Sequence, residues 1–265
     1  MTPDLQTLAR PETVPAPRGR NPIALDQESL AFAVGLIALL LPVVLWLGAF
    51  WAPLCRQASI SHYYYMPFLG SVLVAAMGFI SIFMWNYPGH TRSDRIAARI
   101  GSLGAIVLAI FPAFGDGCAE TAYLSRPLAT VLVEDGPRYS AEALDFGYTF
   151  GGWLTTRALH WGGAAALFGV LTWFCLWSFR RDNGEGVMGR GETARMTASK
   201  RLRNRIYLGC GLVMAAMFVA LPLAGGNPDG ETGLFPVTFL LEAVALAAFG
   251  VSWLVKGRVL RGLRD

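Results

Sequence analysis

Glu242 lies in the stretch Leu240-Leu-Glu-Ala-Val-Ala-Leu-Ala, with no other ionisable residue between Glu231 and Lys256. A carboxylate in such surroundings serves as a proton or ligand site, or as a hydrogen-bonding group that ties helices together. A second concentration of reactive types is Cys55-Arg-Gln-Ala-Ser-Ile-Ser-His-Tyr-Tyr-Tyr65, followed later by Asp116, Cys118, Glu120 and His160. Ser59 or Ser61, with His62 and Asp116, has the residue types of a nucleophile, a base and its orienter. Ser61, His62, Asp116 and His160 are therefore the candidates for catalysis, although no Gly-x-Ser-x-Gly elbow accompanies them. His62, His160, Asp116, Glu120 and Glu242 are possible metal ligands by type. None forms a ligand pair at helical spacing, so neither a metal nor another cofactor is expected. The plainer reading of each histidine is an interfacial ring with one satisfied hydrogen bond. Cys55 and Cys118 are a candidate disulfide, or two unpaired thiols, if their side of the membrane permits oxidation. Cys175 and Cys210 fall within apolar segments and are expected to stay reduced.

The elements that must position these residues follow from composition. The chain has 265 residues, of which 54% are hydrophobic and 15% charged, with mean hydropathy +0.45. A soluble domain carries about 25% charged residues. Here the apolar residues form long blocks, as a lipid-facing helix requires. The net charge of +4 does not indicate nucleic acid, because the basic residues cluster between the apolar blocks.

Crossing about 30 Å of hydrocarbon takes roughly 20 residues at 1.5 Å each. Six blocks qualify, at about 29–51, 66–87, 95–114, 157–179, 204–223 and 234–255. The sequence thus predicts an all-α polytopic bundle of six transmembrane helices at 26–258, with a flexible N-terminal tail at 1–25 and a C-terminal tail at 259–265. A 115–156 segment would cap the outer face, with short helices over 123–133 and 141–154, and a basic loop would span 180–203. Of the 22 Lys and Arg, 18 fall in the two tails and in the second and fourth connections. Basic residues favour the cytoplasmic side, so both termini are expected in the cytoplasm and the protein in the inner (plasma) membrane. Trp85, Tyr87, Trp173, Trp177, Tyr207 and Trp253 then form an inner aromatic belt, and Trp46, Trp51, Tyr63, Tyr64, Tyr65, Trp153 and Trp161 an outer one. Small residues (Gly101, Gly104, Ala105; Gly162, Gly163, Gly169; Gly209, Gly211) allow close helix approach.

The Ser59–Tyr65 loop before helix two, Phe111-Pro112 ending helix three, His160 opening helix four and Glu242…Trp253-Leu-Val-Lys-Gly257 resemble uncharacterised six-transmembrane-helix bacterial membrane families of unknown function. That resemblance spans about residues 29–258 and implies a membrane bundle without an activity. The ceramidase-type membrane hydrolases have seven helices and a late His-x-x-x-His pair, and this chain has neither.

Three functions remain. The first is a non-enzymatic membrane protein that binds a lipid or protein partner at its outer face. The second is a proton-coupled small-molecule transporter using Glu242, with His160 as its neighbour. The third is a membrane-embedded hydrolase with an outward-facing His/Asp site. Besides the bilayer itself, an anionic lipid or a protein is the expected partner of the basic loop 180–203, unless that loop is only a solvated topology signal.

Overall fold

The computed structural model describes residues 27–51, 57–111, 130–133, 136–139, 155–181, 187–188, 195–224, 236–258 and 261–263. The described residues form a bundle of long helices: α1 (Gln27–Trp51), α2 (Pro67–Asn86), α3 (Arg92–Ile110), α4 (Thr156–Trp173), α5 (Ala198–Ala224) and α6 (Val237–Lys256). All of them except α3 are apolar and long enough to cross a membrane, which makes five candidate spans among the described residues. The chain is thus a multi-pass membrane protein. Helix α3 opens with Arg92, Asp94, Arg95 and Arg99, yet it packs along α2 on one side and α4 on the other.

Several boundaries differ from expectation for local reasons. Helix α3 ends at Ile110 rather than near 114, because Phe111 precedes Pro112 and that position disfavours helix. Helix α5 begins at Ala198, not 204, since the Thr197 hydroxyl accepts the Lys200 N–H at 3.1 Å. The following Lys200, Arg201 and Arg203 are good helix formers. Instead of a helix running through 133, Thr130–Val133 (β1) pairs antiparallel with Gly136–Tyr139 (β2). Val187–Met188 (β3) likewise pairs with Arg195–Met196 (β4) inside the basic loop. The expected helix over 141–154 lies outside the described residues.

The two ends of the bundle are chemically distinct. At the basic end, Asp94 is fully buried and accepts the N–H groups of Thr91 (2.9 Å) and His90 (3.0 Å), while the Thr91 hydroxyl accepts the Asp94 N–H. This capping box starts α3. Gly89 precedes it at φ +57, where a side chain would strain the turn. The same carboxylate accepts the Ser178 hydroxyl at 2.9 Å and lies 3.3 Å from the Arg181 guanidinium, which ties α3 to α4. Lys200 donates to the Arg181 carbonyl at 3.0 Å, and Arg203 donates to the Leu263 carbonyl. Within the C-terminal tail the turn Arg261–Leu263 therefore docks, with Leu263 buried. Arg258 faces Glu28, so the start of α1 and the end of α6 share this end.

Just above this rim lies an aromatic cluster. Trp253 takes Phe83, Phe179 and Tyr87 against its ring at 4.8, 5.1 and 5.2 Å, each nearly edge-on. Tyr87, Tyr207 and Trp253 are buried here and do not join an interfacial belt, whereas Trp85 and Trp177 remain exposed as belts require. On the other side Tyr63 and Tyr64 are buried too, while Trp51 and Trp161 are exposed.

Between the ends, glycines set the closest approaches. A Cβ at Gly104 would sit 2.7 Å from the Gly163 carbonyl, and one at Gly35 2.8 Å from the Gly250 carbonyl. These are backbone contacts of α3 on α4 and of α1 on α6, the small-residue packing of membrane helices. Gly162, Gly169 and Gly209 have nothing within 4 Å and do not serve packing.

Gly104→Ala is expected to lower stability in detergent by about 1–3 kcal/mol, because the obstructing atoms are backbone. Gly209→Ala, with open space around it, should lose nothing in the same thermal melt. Burial raises the pKa of Asp94, but hydrogen bonds from Ser178, Thr91 and His90 outweigh it and hold the carboxyl below its ordinary 3.8. The native state then binds fewer protons than the unfolded one, so this stabilisation is complete above the ordinary value and lost as pH falls through the lower native one. Asp94→Ala should cost about 1.5–3 kcal/mol at neutral pH, through its lost charge-assisted hydrogen bonds. Its deficit relative to wild type should shrink on acidification in pH-dependent melts.

Candidate functional site

At the end of the bundle opposite the basic rim, the chain between α1 and α2 turns inward through Gln57–Ile60 and a single 3-10 turn, Ser61–Tyr65. Pro67 then opens α2 at a position where no N–H is needed. Ser59, Ile60, Tyr63 and Tyr64 are all buried, so most of this turn faces protein, with Ala58 left exposed. Its backbone groups therefore need partners from the protein.

Glu242 supplies two of them. Its carboxylate accepts the Ile60 N–H at 2.5 Å and also the Ser61 N–H. Since α6 begins at Val237, Glu242 lies five residues inside the helix, about 7 Å along its axis. That is shallower than a start at 234 would place it. One turn earlier the Phe239 N–H, unpaired within the first turn of α6, donates to the Ala58 carbonyl at 3.0 Å. The Phe239 ring packs against Trp46 and Tyr63 at 5.3 and 6.0 Å. The turn is thus fastened to α6 at 58, 60 and 61, and to α1 through the rings.

Ser59 and His62 face each other. Ser59 Oγ accepts the His62 N–H at 3.2 Å and lies 2.5 Å from His62 Nδ1. If the hydroxyl donates to Nδ1, the ring proton is on Nε2. Ser61, the serine favoured from sequence, has no such pairing; what brings it into the site is its backbone N–H on Glu242. A serine three residues before a histidine can reach it within one turn, which the immediate neighbour cannot.

The end of α3 meets this turn and the start of α4. Helix ends leave carbonyls unpaired, and here Tyr64 donates its hydroxyl to the Ile110 carbonyl at 3.2 Å. His160 Nδ1 lies 3.0 Å from the Phe111 carbonyl. A carbonyl only accepts, so Nδ1 carries the proton and Nε2 keeps its lone pair. His160 is not bonded to Glu242, the partner sequence reasoning offered it; the two residues satisfy different backbone groups.

The structure therefore gathers Ser59, Ser61, His62, Tyr64, His160 and Glu242 at one end. Asp116, Glu120, Cys55 and Cys118 lie outside the described residues, so the orienting carboxylate and the disulfide stay where the sequence left them. Among the described residues no three His, Cys, Asp or Glu side chains come together as a ligand set. Cys175 and Cys210 are free and buried. Sequence reasoning missed Tyr64 and the Ala58 carbonyl; the signal was present in three consecutive tyrosines just before a helix, too polar to be lipid-facing alone. Chemically, the arrangement can fix a turn and present two imidazole edges. Ser59, with its side chain turned into the protein, is poorly placed to attack a substrate.

No family model, curated protein or solved structure matches the chain.

Glu242→Ala leaves the Ile60 and Ser61 N–H groups without their acceptor, at about 1–3 kcal/mol for each buried orphan. Glu242→Gln keeps one carbonyl acceptor and is expected to lose roughly half as much. Thermal melts of the two variants in detergent check the order. Equal melting of Glu242→Ala and wild type would refute the capping role.

Proposed function

We propose that this protein is a six-pass component of the inner (plasma) membrane, with both termini cytoplasmic. In this reading it is not an enzyme, and it works by presenting the open edge of its fixed outer turn, where Ala58 is exposed and Ser61 and His62 are half-buried, to a lipid or protein partner. The observation that carries it is the use made of Glu242. Its carboxylate accepts two backbone N–H groups of that turn, and the surrounding polar side chains also hold backbone groups. Such residues rigidify a surface, and pre-organised surfaces bind with less ordering cost.

Topology has separate support. Helix directions alternate: Asp94 at the start of α3 meets Ser178 and Arg181 after α4, while Tyr64 before α2 meets the end of α3. Helix α3 therefore runs the same course between the two ends as its neighbours, which favours six crossings over five. The Arg- and Lys-rich segments gather at the end that also holds the start of α1 and the end of α6, as cytoplasmic termini require.

A hydrolase is the second reading, and the 2.5 Å contact between Ser59 Oγ and His62 Nδ1 is what favours it. The transporter reading has less support, because Glu242 is already engaged with fixed backbone donors.

A photo-reactive residue in place of Ala58, whose side chain is exposed, tests the binding reading in intact cells. One discrete lipid or protein adduct is expected at 58 and not at Ile82, on the flank of α2, with loss of the adduct in Glu242→Ala. The same lipid labelling at both positions would overturn it. A fluorophosphonate probe should not label the protein. Labelling that disappears in Ser59→Ala would establish the hydrolase instead.

A further inference from the structure

We infer that the flank formed by α2 and α3 holds an anionic phospholipid of the leaflet at the basic end, with its acyl chains in a groove and its phosphate on Arg99. The groove, of about 350 Å³, is lined by Ser81, Ile82, Trp85, Asn86, Leu103 and Ile106, together with Ser102. It opens outward: Ile82 is 67% exposed and Leu103 56%, so in a bilayer its natural cover is lipid. The serines do not make it polar, because Ser81 and Ser102 bond to each other at 3.0 Å and to one another's carbonyls.

Charge complementarity identifies the occupant. The Arg99 guanidinium lies over the Trp85 ring at 5.6 Å, at the basic end of the groove. This cation–π contact holds the charge at the mouth while leaving its N–H edge open. Arg92, Arg95 and Arg99 recur at intervals of three and four residues on α3, all exposed, so they share one side of the helix. Among the described residues none of these three makes an ion pair with an acid. An apolar trough that ends in a tryptophan and a row of unneutralised arginines matches a molecule with two acyl chains and a phosphodiester.

A second groove, between α4 and α5, contains Trp173 with Arg181 over it at 5.6 Å. There the charge is already matched by Asp94. That difference selects the first groove and provides a control.

The test uses the full-length protein, purified in detergent, stripped of lipid and titrated with phosphatidylglycerol or phosphatidylcholine under native mass spectrometry. Wild type should retain phosphatidylglycerol and discriminate against phosphatidylcholine. Arg99→Gln should weaken phosphatidylglycerol about fivefold, the factor one interfacial arginine contributes. Leu103→Trp, which fills the groove from an exposed position, should weaken both lipids. Gly169→Leu, placed in the second groove where nothing lies within 4 Å, should bind phosphatidylglycerol as wild type does. Soluble glycerol phosphate should not compete at concentrations matching the lipid; competition would show a phosphate site without the groove and overturn the proposal. So would equal retention of the two lipids, or a loss caused by Gly169→Leu and not by Arg99→Gln.

Discussion

A turn enclosed by helices must find hydrogen-bond partners for its own backbone, and the rest of this bundle's polar end is organised around that requirement. The chain enters at Gln57, turns within protein at Ser59–Ile60 and leaves as α2. Neither lipid nor apolar side chains can accept the Ile60 and Ser61 N–H groups. Glu242, reaching from the second turn of α6, accepts both. A carboxylate suits this task because it offers several lone pairs and donates nothing when ionised. The residue that attracts attention as a chemical group is, by its contacts, a cap for another segment.

The same logic runs through its neighbours. Tyr64 and His160 take the last carbonyls of α3, Ala58 takes an N–H from the start of α6, and Ser59 takes the N–H of His62. At the basic end Asp94 starts α3, Lys200 closes the carbonyl of Arg181, and Arg203 holds the C-terminal turn. Polar side chains thus fasten the two ends, while backbone contacts at Gly104–Gly163 and Gly35–Gly250 bring the helices together between them. Hydrophobic burial drives little association inside a bilayer, so close packing and satisfied backbone groups must provide it.

What could be read from sequence follows from which signals are local. Long apolar blocks separated by arginines place helices without reference to their neighbours, and α1, α2 and α6 fall within a few residues of expectation, as does α4 with the π-helical turn Phe174–Ser178 that continues it. Glu242 and the Ser59–Tyr65 segment stood out because their polarity conflicts with their surroundings. The partners did not, because 182 residues separate Glu242 from Ile60 and no periodicity encodes that contact. Glycines show the same limit. Gly163 packs and Gly162 does not, and only the direction of α3 decides between adjacent identical residues. Aromatic belts failed in the same way, since Trp253 and Trp85 lie at the same end but face the core and the flank respectively.

The contacts of Glu242 also separate a static role from a transporting one. A proton carrier needs a carboxylate that can change partners between two accessible states, or one that lines a wet path. Here the donors are main-chain groups of a turn that Phe239 fastens again at Ala58 and that Tyr64 fastens to α3. To free the carboxylate the turn would have to move as a unit, breaking its bonds to α6 and α3 together. Protonating one oxygen of Glu242 would leave the other free to accept, so the bond to the Ile60 N–H does not depend on the charge of the carboxyl. The geometry therefore favours a carboxylate that stays in one place, and a surface whose shape does not depend on proton traffic.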